Sequence, residues 1–259
     1  MSEQTLNQLA IFANELADIA RHTIRSSKQA DRRPIAKPDS SPVTNTDKTV
    51  ELRLRERIAE RFPDHGILGE EFGAEGLDRE FVWVVDPIDG TKAFIGGLAI
   101  YGTLISLTRG GVPLIGLIDN PTTGDRWLGN QGKPTTLNGN PVHCASTRTL
   151  AEAFMANGNP DVFTGSYRVC VDNLREATRW CVYGGSCIAY GRVADGSLDI
   201  SIDGGLSPYD YCALVPVING AGGCITDWQG AGLGLASGDR CVASANPDLH
   251  RQVLDRLSS

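Results

Sequence analysis

Apolar residues recur at helical spacing over residues 6–24, at Leu6, Leu9, Phe12, Ala13, Leu16, Ile19 and Ala20, which predicts an amphipathic helix. The pattern then fails. Residues 25–41 are polar and proline-bearing, end in Lys37-Pro38-Asp39-Ser40-Ser41, and read as a loop. A second helix is predicted over 47–61, with Thr46 or Asp47 near its N-cap. Residues 81–85 are wholly apolar, as in a strand buried on both faces, and that strand is expected to stop at Asp86. Two further strands, 100–108 and 113–119, are separated by Arg109-Gly110-Gly111, a hairpin signal, and Trp127 and Leu128 extend the meander.

Residues 133–151 are polar and loop-rich, so the boundary between an α+β half (1–140) and an α/β half (141–259) is placed there. Beyond it, strands at 153–156, 180–183, 198–202, 224–226 and 241–244 alternate with helices at 167–177, 186–194, 208–221 and 247–257. Alternation of this kind implies an α/β fold in layers.

Bulk properties narrow the function more than the fold. The 259-residue chain carries a net charge of −7, the wrong sign for a nucleic-acid partner, since phosphate backbones select basic surfaces. No apolar run approaches the length of a membrane span, and Glu3 and Glu15 break the layout of a signal peptide, so a cytoplasmic protein is expected. The seven cysteines show no C-x-x-C spacing and read as small buried hydrophobes rather than as disulfides or a zinc knuckle. The four histidines are far apart and lack zinc-ligand spacing.

Three acidic segments carry the candidate chemistry: Gly69-Glu70-Glu71, Asp86-Pro87-Ile88-Asp89-Gly90-Thr91, and Ser207-Pro208-Tyr209-Asp210. Asp86 ends a buried strand, where side chains point into the mouth of a sheet. Pro87 holds Asp86 extended, Gly90 permits a backbone conformation closed to other residues, and a short helical stretch follows from Thr91 with free N–H groups for a phosphate. Two acids three positions apart across such a turn can converge on a hard cation, and Mg²⁺ suits them. Each segment also has a plainer explanation. Asp-Pro-Ile-Asp-Gly is a common turn composition, Glu70-Glu71 could be a solvated pair, and Asp47 and Asp210 are ordinary first-turn helix acids.

Together and in this order, the segments resemble the inositol monophosphatase family of metal-dependent phosphatases. The resemblance runs from Lys37 and Ser41-Pro42-Val43-Thr44-x-x-Asp47 to Ala221-Gly222-Gly223. It implies a layered αβαβα sandwich, two or three Mg²⁺ ions and, commonly, a homodimer. It also implies metal ligation by Glu70, Asp86, the Ile88 carbonyl, Asp89 and Asp210. Thr91, oriented by Asp47, would help Glu70 deprotonate the attacking water. The N–H groups of Gly90 and Thr91, with Lys37 near by, would hold the phosphate. Asp89, Gly185, Ser186, Asp203 and Asp210 would face the substrate.

Within the family, Asp86 through Ile95, Tyr101-Gly102-Thr103-Leu104-Ile105-Ser106-Leu107 and the stretch from Leu206 to Gly223 resemble the histidinol-phosphate phosphatase branch, which makes histidinol phosphate the expected substrate. Inositol-1-phosphate or another polyol phosphate is the alternative, and a non-catalytic binding role a remoter one. One position departs from the branch: Gly184-Gly185-Ser186-Cys187 has serine where an acid is usual. Asp203 remains available for an amine contact.

Overall fold

The computed structural model describes residues 3–37 and 41–258; Pro38, Asp39 and Ser40 of the expected loop lie outside the described residues. The first helix, α1, spans Glu3–Ser26 and packs beside α2, Asn45–Arg61. Thr44, not Thr46 or Asp47, is the N-cap of α2. Its hydroxyl accepts from the N–H groups of Thr46 and Asp47 while its own N–H donates to Asp47 Oδ2 at 3.0 Å. Asp47 is therefore the third residue of a capping box, so the helix starts two residues earlier than its apolar pattern. Between the helices the polar segment is not wholly irregular: strands β1 (Ile35–Ala36) and β2 (Pro42–Val43) pair antiparallel.

The first large sheet comprises β3 (Gly66–Gly69), β4 (Gly73–Glu75), β5 (Phe81–Asp89), β6 (Gly102–Arg109), β7 (Val112–Asp119), β8 (Arg126–Asn130), β9 (Thr136–Leu137) and β10 (Asn140–Pro141). Its spatial order is β10-β9-β8-β7-β6-β5-β3-β4, and only β3 and β5 run parallel. Strands β3 and β4 went unpredicted because they are short and glycine-rich. The second sheet orders β12 (Trp180–Tyr183), β11 (Phe154–Asn157), β13 (Ile200–Gly204), β15 (Arg240–Ser244) and β14 (Cys224–Thr226). The remaining helices are α3 (Thr91–Gly96), α4 (Gly165–Ala177), α5 (Ser186–Ala194), α6 (Pro208–Tyr211), α7 (Leu214–Gly220) and α8 (Pro247–Leu257).

Three cores hold five layers together, the central one enclosing the middle helices and reaching both sheets. Leu16 of α1 and Leu54 of α2 pack on Trp83, Val85, Ile105 and Leu117, one face of the first sheet. Val82 and Val84 alternate to the other face, as the two-residue period of a strand requires, and meet Val193 of α5 and Leu214 and Val217 of α7. The same central core takes Ala156, Cys241 and Ala243 from the second sheet. The far face of that sheet, Met155, Ile200 and Val242, is covered by Leu174 of α4 and Leu249 and Val253 of α8. The order is helix, sheet, helix, sheet, helix, the αβαβα sandwich expected.

The single helix predicted over 208–221 is two helices, α6 and α7. Pro216 has no N–H to return to the Cys212 carbonyl, which instead accepts from the Ser106 hydroxyl at 3.2 Å. Helix α7 lies almost in contact with the sheet backbone, because Gly116 and Gly129 stand opposite one another in the β7–β8 ladder. A Cβ on Gly116 would fall 1.9 Å from the Ala213 carbonyl oxygen, and one on Gly129 2.2 Å from the Pro216 carbonyl carbon. Gly129→Ala is therefore expected to destabilise by about 2 kcal/mol or more, within the range of core overpacking. Gly232→Ala, with nothing within 4 Å of its Cβ, should stay within about 0.5 kcal/mol. Urea unfolding of both variants checks this, and equal midpoints would refute the close-approach account.

Candidate active site

The β5 strand does not stop at Asp86. It runs on to Asp89 through a register shift against β6 between those two residues. In a regular strand, residues three apart face opposite sides; the bulge cancels that and turns both carboxylates the same way. Asp86 is buried, and its Oδ1 accepts the Ile88 N–H at 3.0 Å. Asp89 Oδ2 accepts the backbone N–H of Cys187, at the start of α5. Asp210, in the first turn of α6, takes the Ser207 N–H on Oδ2 at 2.6 Å. Ligand oxygens of Asp86, Asp89 and Asp210 lie within 4.8 Å of one another. The ordinary capping role of Asp210 and its place in the cluster are thus compatible, since a carboxylate has two oxygens.

Burial raises the pKa of Asp86, Asp89 and Asp210 above the usual carboxylate range, well above it for Asp86 and Asp210. Neighbouring charges add to this: Glu70 and Asp89 for Asp86, Glu70 for Asp89, and Asp89 and Glu70 for Asp210, while N–H donors pull Asp89 and Asp210 back. Clustered hard oxygens short of counter-charge are the donor set that Mg²⁺ fits.

Glu70 stands outside that group of three. Its Oε1 accepts from Lys37 Nζ at 2.8 Å, as does Glu71 Oε1 at 2.8 Å. Burial disfavours the Lys37 charge, but the hydrogen bonds and charges of Glu70 and Glu71 outweigh it and hold the pKa above that of a free lysine. Burial, opposed by Lys37 and aided by Glu70, pushes the Glu71 carboxyl up to about 7. The main support of this loop escaped the sequence reading. Glu51, fully buried on α2, accepts the Glu71 and Phe72 N–H groups at 2.7 and 3.2 Å and is itself held by Arg55 at 2.8 Å. Its only sequence signal is an acid on the apolar face of a helix.

Thr91 Oγ1 lies 3.1 Å from the Ile88 carbonyl and 3.5 Å from Asp47 Oδ1. Asp47 is fully buried, which raises its pKa, while bonds from Thr44 oppose the shift. Gly90 has φ +86°, and a Cβ there would meet Ser186 Oγ at 2.6 Å, so the turn is closed to larger residues. Ser186 itself holds φ +48° after Gly185 at +108°. Asp203, at the end of β13, receives the Gly204 N–H at 3.0 Å, and burial, aided by the Asp89 charge, pushes it up to about 7. Cys187 fits the expectation of a buried thiol, but its N–H on Asp89 gives it a further structural role. All seven cysteines are free, and no helix among the described residues is long and apolar enough to cross a membrane.

The raised carboxyls make stability depend on pH. A carboxyl whose folded pKa exceeds its unfolded value binds more protons when folded, so its contribution is full below the unfolded pKa and lost as pH rises through the folded one. His65 and His250, both lowered chiefly by burial, act in the opposite sense only below about pH 6.5. Metal-free protein is therefore expected to melt at a higher temperature at pH 6.5 than at pH 8. Mg²⁺ should reverse this, adding about 2.7 kcal/mol at a hundred times its Kd and more at pH 8 than at pH 6.5. A flat profile by circular dichroism would refute the assignment.

The model of the family described as "Inositol monophosphatase family" matches residues 5–259. The chain is 38% identical over 266 aligned positions to the bifunctional phosphatase IMPL2 of Arabidopsis thaliana, covering 99% of this chain and 77% of that one. It is 35% identical to a histidinol-phosphatase of Mycobacterium tuberculosis, covering 96% and 97%, and 31% identical to the inositol-1-monophosphatase ImpA of Mycolicibacterium smegmatis, covering 100% and 95%. An inositol monophosphatase from Zymomonas mobilis superposes over the whole of both chains with a TM-score of 0.88 and 34% identity. A family model that matches residues 5–259, with relatives 35–38% identical over nearly the whole chain, makes this chain a member of the inositol monophosphatase family.

Proposed function

We propose that the chain is a Mg²⁺-dependent phosphomonoesterase whose substrate is histidinol phosphate. The observation that carries the phosphatase reading is the convergence of Asp86, Asp89 and Asp210 beside the Gly90–Thr91 turn. In this reading Asp86, Asp89, Asp210, Glu70 and the Ile88 carbonyl hold two or three Mg²⁺ ions. Bound there, Mg²⁺ supplies an acidified water and counter-charge for the leaving alkoxide. The chain does the rest. Asp47, fixed by the Thr44 N–H, orients the Thr91 hydroxyl, which positions the attacking water while the Glu70 carboxylate takes its proton. The N–H groups of Gly90 and Thr91 hold the phosphate, and Lys37 keeps Glu70 in place through its 2.8 Å contact.

Substrate choice rests on the opposite wall. Histidinol phosphate carries an ammonium group, and Asp203 offers a desolvated carboxyl there, next to Gly185 and Ser186 in this reading. An ammonium would draw Asp203 into its charged form and recover in binding what burial withholds from the free protein. Inositol-1-phosphate, which has no cation, gains nothing from that charge. Relatives bearing either name are similar over nearly the whole chain, so the comparison must be made by assay.

Purified protein with Mg²⁺ is expected to release phosphate from histidinol phosphate at least tenfold faster than from inositol-1-phosphate at equal concentration, about 1.4 kcal/mol of discrimination. Asp86→Asn should abolish turnover of both. Asp203→Asn should raise KM for the amine-bearing substrate and spare the other. Equal turnover, or loss of both activities in Asp203→Asn, would sink the histidinol assignment and leave the phosphatase.

We also infer that the chain is a homodimer. The edge strand β12 exposes Trp180, Val182 and Tyr183, at 55%, 41% and 57%, and Leu98 is 58% exposed. Trp180 and Val182 share one face of that edge strand, and exposed apolar side chains there offer a docking surface for a second copy. Light scattering should give twice the chain mass, and Trp180→Glu with Tyr183→Glu should halve it. A monomeric parent protein would refute the dimer.

A further inference from the structure

Charge is sorted unevenly along this chain. Residues 21–37 hold six Lys and Arg against the single acid Asp31, a local net of +5 in a protein of net −7. Two of the six are occupied: Arg21 binds Asp119 at 2.6 Å, and Lys37 binds Glu70 and Glu71. Arg25, Lys28, Arg32 and Arg33 pair with no carboxylate side chain through their own side chains among the described residues. Cations on a flexible loop would be unremarkable, but this segment is anchored. The Thr46 hydroxyl donates to the Asp31 carbonyl at 3.3 Å, Arg32 Nε donates to Ser27 Oγ at 3.1 Å, and the Arg32 guanidinium lies 5.1 Å from the centre of the Phe94 ring.

Phe94 is the link to the chemistry. It belongs to α3, whose first residue is Thr91, and its N–H returns to the Gly90 carbonyl at 3.0 Å. Gln29, Arg32, Arg33, Phe94, Ile95 and Gly97 line one cavity of about 620 Å³. At about 1.5 Å of rise per residue, that stretch of α3 lies about 5–9 Å beyond Thr91, within one Debye length at ordinary ionic strength. Pro34 holds Arg33 extended, with ψ 131°, and the side chain is exposed.

We propose that residues 25–33 form a cationic strap at the mouth of the site that captures the phosphate of the incoming ester and passes it to the Gly90–Thr91 turn. Arg33 is its principal free charge. An acidic protein with five carboxylates near its metal site repels dianions, so a local positive field raises the encounter rate. This inference rests on the phosphatase reading above, since it takes that turn as the phosphate's destination. Arg33 steers substrate and takes no part in the chemical step.

The test uses Arg33→Glu, with Arg251→Glu on α8 as a control of equal charge change. Arg32 is left intact because it stacks on Phe94. With Mg²⁺ and a phosphate monoester that the parent protein hydrolyses, Arg33→Glu should lower kcat/KM threefold or more at about 20 mM KCl and leave kcat unchanged. The difference should vanish near 0.5 M KCl, where charges are screened, and Arg251→Glu should match the parent throughout. In parallel, calorimetry at low salt should show Arg33→Glu binding inorganic phosphate at least threefold more weakly. That readout stands even if no ester is turned over, which would be a failure of the functional reading alone. A loss that persists at high salt, equal loss in Arg251→Glu, or unchanged phosphate binding would overturn the strap.

Discussion

Bringing Asp86, Asp89 and Asp210 within 4.8 Å of one another and largely out of water carries a large electrostatic cost. Like charges at that range cannot all ionise without a compensating cation, and each must also leave bulk water. The surrounding architecture can be read as the means of holding them regardless. Each acid is fixed by a backbone N–H from its own or a neighbouring element: Ile88 for Asp86, Cys187 for Asp89 and Ser207 for Asp210. The donors come from a strand end and from two helix starts, where N–H groups lack partners of their own. Two layers of the sandwich, the first sheet and the helices between the sheets, therefore meet at the cluster, and the three apolar cores supply the stability that the cluster withdraws.

How much of this the sequence disclosed follows a physical rule. Long periodic segments were legible: α1, α2, the meander strands and the alternation of the second half each bury a stripe or a face, and the burial writes a period into the chain. The αβαβα order was legible through motif order, and so were the three aspartates that the structure brings within 4.8 Å of one another. What escaped the reading was set by contacts remote in sequence. The β3–β4 hairpin has no period because it is short. Glu51 looks like any helix acid until its N–H partners at Glu71 and Phe72 come into view, twenty residues on. The division of the helix at Cys212 depends on Pro216, but its acceptability depends on a hydroxyl from Ser106, over a hundred residues earlier.

Burial also divides the charged residues into two populations with different physics. Asp119 with Arg21 and Arg126, and Glu51 with Arg55, are pairs whose acid is fully buried and whose partner is an arginine, the cation best suited to desolvated, geometrically fixed contacts. They brace α1 and α2 against the first sheet. Among the described residues the carboxylates of the cluster have no such arginine. Only Lys37, among those same described residues, approaches them, and it touches Glu70 and Glu71 rather than the three aspartates. Acids that stabilise the frame are neutralised by the chain itself, whereas those of the cleft are left for something the chain does not encode.

The register shift in β5 has a consequence for how this segment can change over evolutionary time. Pro87 and Ile88 serve the cleft through their carbonyl oxygens, one taken by Thr103 at 2.8 Å and the other by Thr91. The backbone supplies both, whatever side chain is attached. What the bulge cannot absorb is a change of length, because one residue more or fewer would turn Asp89 to the opposite face of the sheet. Between the two acids the spacing is fixed more strictly than the side chains, so drift in this stretch should run through conservative substitutions, Ile88 being fully buried, while insertions and deletions are purged.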